Sequence, residues 1–179
     1  MEKEAYTPNP QEAAYVGKIL MAMANGISGE QTRFSSWMLA GFGAGLGLLV
    51  ANVANVAPFI PPHIISSAVY IFLTAVIIHV VQRYLGAMVA GSIATSKEVE
   101  AIQFIPGVNL NYVLSEIERV TFWPAVYIVK WSSRKVLAGD LAHAGRLNAI
   151  LAQISAWLVF IQMILLVIAI FVIAKGING

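Results

Sequence analysis

The chain has no cysteine. That excludes disulfides, thiolate catalysis and cysteine-ligated metals, while leaving the compartment open. Charge is also scarce: 11% of 179 residues are Asp, Glu, Lys or Arg, against about 25% in soluble domains. No acidic residue falls inside any of the three long apolar stretches. Proton relays and cation-coupled transporters usually carry one there, which argues against ion-driven transport. There is no His-xxx-His or Glu-xx-His pair among Glu98, Glu100, Glu116, Glu118, Asp140 and the three histidines, so no metal site is expected. The stretch GFGAGLG (residues 41–47) resembles a phosphate loop only in composition, because no strand precedes it and its setting is apolar. No residue set suggests catalysis, and the expectation is a protein that is not an enzyme and carries no cofactor. A bis-histidine haem between His79 and His143 is conceivable, but lone histidines are more often satisfied polar residues.

Basic residues exceed acidic ones only by eleven to nine, with no dense cluster, so nucleic acid is not an expected partner. The N-terminus, MEKEAYTPNPQEAAY, lacks the basic n-region and short apolar core of a secretory signal, and no cleavage is expected.

What the chain has instead is apolar surface: 59% hydrophobic residues and a mean hydropathy of +0.77. The pattern predicts an all-α integral membrane protein with three transmembrane helices, about 37–56, 64–84 and 149–174, plus amphipathic cytoplasmic or interfacial helices. Four segments follow within one membrane domain. Residues 1–36 are a tail and amphipathic helix, and 37–91 a transmembrane hairpin. Residues 92–147 are cytoplasmic helices, and 148–179 the third span and C-terminus.

The first span, WMLAGFGAGLGLLVANVANV, is unusually rich in small residues. At 100° per residue Gly41, Ala44, Gly45, Leu48, Ala51, Asn52 and Asn55 share one face with the 3/4 spacing of a packing seam. Small residues let a second backbone approach closely, Gly41-xxx-Gly45 is the minimal form of that device, and asparagines add hydrogen bonds across helices. Ahead of it, residues 11–25 read as a separate amphipathic helix with Gly26 as its stop. Residues 27–36 read as a polar connector, with Ser35 or Ser36 capping the span.

APFIPPH at 57–63 holds three prolines and demands a tight link. The second span is expected to continue to about Gly91. Polar stripes at Ser67, Tyr70 and Thr74, and at Ser155 and Gln162, suggest bonds among the helices or, as a second option, a pore lining.

The segment 92–147 predicts short helices at 97–104 and 111–120, with a break at Pro106-Gly107 and a Glu116–Arg119 pair. A further helix runs from Thr121 to Gly139. On it Trp123, Tyr127 and Trp131 form one stripe beside Lys130, Arg134 and Lys135. Aromatic and basic residues together are what a membrane interface favours. The alternative is a buried helix whose aromatics are core. Asp140 is placed to cap the last helix.

Ten of the eleven Lys and Arg fall on one side of a three-span topology. The positive-inside rule makes that side cytoplasmic, with the C-terminus outside, in a membrane that is expected to be a bacterial inner membrane. The lipid bilayer and further membrane subunits, or copies of the same chain, are the expected partners. The expected function is a structural or assembly subunit of a membrane complex, such as secretion, conjugation or envelope machinery, packing through the helix-one seam. Alternatives are an oligomeric pore or holin-like protein, and a membrane immunity protein.

Overall fold

The computed structural model describes residues 10–103, 110–121, 123–140 and 142–177. Every element among them is helical: α1 Pro10–Ala51, α2 Val53–Val56, α3 Pro62–Gln103, α4 Leu110–Val120, α5 Ala125–Leu137 and α6 His143–Ile177. Three helices, within Gln11–Ala51, Pro62–Lys97 and His143–Ile177, are long and apolar enough to cross a membrane. Each exceeds the roughly 20 residues that a crossing needs.

The largest departure from the sequence reading is α1. The amphipathic helix, the connector and most of the first span are one continuous helix of 42 residues. Its start at Pro10 suits a first turn, where the missing N–H is unpaired anyway. No proline follows until Pro58, and Gly26 and Gly29 weaken a helix without ending it. Ser36 caps nothing, because its hydroxyl donates to Thr32 O at 2.8 Å, one turn back in the same helix. At the other end α1 stops earlier than expected. Asn52 leaves helical geometry (φ −110°, ψ 22°) and heads the short α2.

The link then closes through Phe59 N–H and Ile60 N–H, both donating to Val56 O at 2.9 Å. The second span likewise runs further than read, absorbing 97–103 into α3, since no breaker precedes Pro106. The Pro106-Gly107 break lies outside the described residues.

The chain divides into two compact units. The first comprises residues 1–27 and 87–152, the second 28–86 and 153–179. In the first, α1 and α6 meet backbone to backbone at Gly17 and Gly145, where a Cβ on Gly145 would overlap the Gly17 carbonyl. Asn148, 1% exposed, donates from Nδ2 to Ser92 Oγ at 3.0 Å. The helix α4 carries the expected Arg119–Glu116 pair at 2.9 Å. The stop of α5 is a Schellman motif: Asp140 N–H donates to Lys135 O, Gly139 N–H to Val136 O, and Gly139 adopts φ +92°. Asp140 pairs with Arg146 at 3.2 Å, and no bond from its carboxylate to the α6 backbone accompanies this among the described residues.

In the second unit α1, α3 and α6 bury residues at alternating three- and four-residue steps. The α3 series is Ile65, Ala68, Phe72, Ala75, His79, Gln82 and Gly86; the α6 series is Ser155, Val159, Gln162, Leu166, Ala169, Ile173 and Gly176. This 3.5-residue period is the knobs-into-holes pattern of coiled coils and helix bundles. Leu39, Ala75 and Leu166 form one apolar layer, and Leu46, Ala68 and Ala169 the next. Fully buried alanines on α3 and α6 give the larger α1 side chains room. The outer surface carries Trp37, Leu48, Tyr70, Ile77, Trp157 and Phe171, each more than 60% exposed. Hydrocarbon tolerates such side chains and bulk water does not.

Candidate functional site

Two features of the second unit stand out, one facing outward and one inward. The outward one is the small-residue face of α1. Gly41, Ala44, Gly45, Leu48, Ala51, Asn52 and Asn55 are all exposed. A Cβ at Gly41 or Gly45 would meet no described residue within 4 Å. The intramolecular seam of α1 lies elsewhere, at Ser35, Leu39, Phe42, Gly43, Leu46 and Leu49.

Gly43, outside the 3/4 face read from the sequence, packs inward. A Cβ there would sit 2.9 Å from Phe72 Cζ. Nor do the asparagines bond to another long helix among the described residues. Asn52, just past the end of α1, donates from Nδ2 to Leu48 O in the last turn of that helix at 2.8 Å, and Asn55, in α2, is exposed. The outward face does border a feature: Gly41 and Gly45, with Phe42, Leu46 and Leu49, line one wall of an apolar groove of about 460 Å³, and Ile170, Ile173, Ala174 and Ile177 of α6 line the other.

The inward feature is a polar segment of the bundle. Ser35, 0% exposed, donates to Gln162 Oε1 and lies 2.8 Å from His79 Nδ1. With its own proton committed to Gln162, Ser35 Oγ accepts from His79 Nδ1–H. Three helices thus meet in one hydrogen-bonded triad. Of the polar stripes read from the sequence, Ser155 and Gln162 belong here and are buried.

The α3 stripe does not join them. Ser67 Oγ donates to His63 O at 2.9 Å and Thr74 Oγ1 to Tyr70 O at 2.9 Å, both outward and within their own helix. The sequence reading missed Ser35, His79 and Gln82 as inward groups. Their 3/4 spacing with Ser28, Thr32 and Gly86 was the available signal.

The helix expected from Thr121 begins only at Ala125, so Trp123 lies in the turn ahead of α5, and the aromatic side chains of both face outward. Trp123 is 77% exposed, Tyr127 67% and Trp131 49%, with Lys130, Arg134 and Lys135 exposed on the same helix. Trp131 also packs edge-on against His143, ring centroids 4.3 Å apart. No group of three metal-ligating side chains occurs among the described residues. Comparison with protein families, with curated proteins and with solved structures returns no match.

Proposed function

We propose that the protein is a structural membrane subunit that associates with a second copy of itself through the outward face of α1. The observation carrying this reading is the open Gly41/Gly45 face, which borders an apolar groove and where an added Cβ would meet no described residue within 4 Å. Hydrocarbon supplies no hydrophobic drive between helices, so association depends on close van der Waals packing, which small residues permit. A face that offers both a ridge of α1 and an adjoining groove suits two-fold pairing, where each copy presents the same patch to the other. The remaining orientation follows from charge: the Lys- and Arg-bearing side cytoplasmic, the C-terminus outside. On that side α5 and the turn before it set Trp123, Tyr127 and Trp131 at the lipid headgroups, with Lys130, Arg134 and Lys135 toward anionic lipid. Secretion, conjugation or envelope machinery is the class of assembly that such a subunit suits.

The test is the mass of the detergent-solubilised chain and two variants. Gly45 lines the groove and Gly47 does not, and neither has a described residue within 4 Å of its Cβ position. Both leucine variants should therefore fold. The native chain and Gly47→Leu should run as oligomers and Gly45→Leu as a monomer. A monomeric native chain, or equal behaviour of the two variants, rejects the reading.

A further inference from the structure

The second unit changes character along its length. Helices α1 and α3 step past one another in register: Phe42 beside Phe72, with ring centroids 5.6 Å apart, Leu39 with Ala75, and Ser35 with His79. Further along, a Cβ at Gly86 would lie 3.1 Å from Ser28 Oγ and 3.4 Å from Thr32 Oγ1. Gln82, between His79 and Gly86, therefore stands at the level of Gln31 and Thr32. On α6 Ser155 precedes Gln162 by two turns, about 10 Å. Beyond the Leu39–Ala75–Leu166 layer, then, the bundle interior carries polar side chains over two turns, with the buried Val159 of α6 among them.

Within it lie five buried atoms with no hydrogen-bond partner among the described residues: Gln31 Oε1, Gln82 Oε1 and Nε2, Ser155 Oγ and Gln162 Nε2. Gln82 and Gln162 are 0% exposed and Ser155 1%.

A buried amide without a partner is costly, above all in a segment that bulk water does not bathe. Buried polar groups are accordingly found paired, with ordered water where protein does not serve. Burial this complete excludes a macromolecular partner. The unpaired set holds two amide donors, two carbonyl acceptors and a hydroxyl, with no formal charge. What completes it is small, neutral, and both donates and accepts. We propose that this segment is an internal water-binding site, bounded on one side by the Leu39–Ala75–Leu166 layer and walled by the Ser35–His79–Gln162 triad.

Water-edited solid-state NMR of the full chain in lipid bilayers tests this, with ¹⁵N in the glutamine side-chain amides and histidine rings and ¹³C in alanine methyls. Magnetisation from water should reach the Gln82 and Gln162 amides and His79 Nδ1–H as fast as it reaches the exposed Gln153. It should not reach the Ala75 methyl. Transfer to Gln82 and Gln162 no faster than to Ala75 overturns the proposal. Replacing Gln82→Leu removes two of the groups that hold the water, and the transfer to Gln162 should then be lost. Transfer that persists unchanged in a folded Gln82→Leu chain also overturns it. If that variant does not fold, the native-chain measurement decides alone.

Discussion

Glycine has three distinct uses in this chain, and substitution separates them. At Gly145 the neighbour is backbone: a Cβ would lie 2.6 Å from Gly17 Cα and closer still to its carbonyl oxygen. Backbone cannot rotate away as a side chain does, so Gly145→Ala should cost at the upper end of the roughly 1–3 kcal/mol typical of overpacking. Gly26 meets nothing within 4 Å among the described residues and sits inside α1. There Gly26→Ala should stabilise by up to about 1 kcal/mol through helix propensity. Gly139 is a conformational case. Its φ of +92° makes Gly139→Ala unfavourable by about 1–2 kcal/mol although space is open. Reversible unfolding of the three variants in mixed micelles measures all of these, and loss of that order rejects the glycine assignments.

At the scale of the element, the continuity of α1 through residues 27–36 is the finding that sequence alone did not suggest. Polar residues ISGEQTRFSS read as a connector because loops are polar. Here Ser28, Gln31, Thr32 and Ser35 instead occupy the buried stripe of a helix, while Glu30 and Arg33 face outward as a loose pair at 3.7 Å. Proline distinguishes the alternatives. Gly29→Pro, at an exposed position, should cost about 3 kcal/mol in a helix interior and little in a connector. Loss of helical circular dichroism with a lowered unfolding midpoint is the expected result, and an unchanged midpoint restores the connector. The α5 stripe has its own test. With Trp37, Trp131 and Trp157 replaced by Phe, brominated lipid should quench Trp123 if α5 lies at the membrane surface. Fluorescence indifferent to bromination removes α5 from the interface.

For the whole molecule, the charge count gives an expectation for the side of the membrane that each end of a span occupies. The native chain has no cysteine, so single cysteines report without background. Phe59, 70% exposed, lies in the link between α2 and α3, and Lys97 is exposed near the end of α3. In intact cells an impermeant thiol reagent should label Phe59→Cys, and Lys97→Cys only after permeabilisation. The opposite pattern inverts the topology.

Three apolar helices, the tight link at 57–63, the Glu116–Arg119 pair and the Gly139 stop were all legible in the sequence. Each depends on local chemistry: length of apolar run, proline, i,i+3 spacing, a residue free to take positive φ. Which face of α1 turns inward was not. In water a helix announces its buried side by hydrophobicity, but in a membrane both sides are apolar and that contrast vanishes. Small size then suggested Gly41 and Gly45 as the seam, whereas Phe72 opposite Gly43, and the Ala75 and Ala68 of α3 opposite Leu39 and Leu46, set the phase. Only the tertiary structure brings Ser35, His79 and Gln162 together from positions up to 127 residues apart, because that meeting depends on how three helices align and not on any one of them.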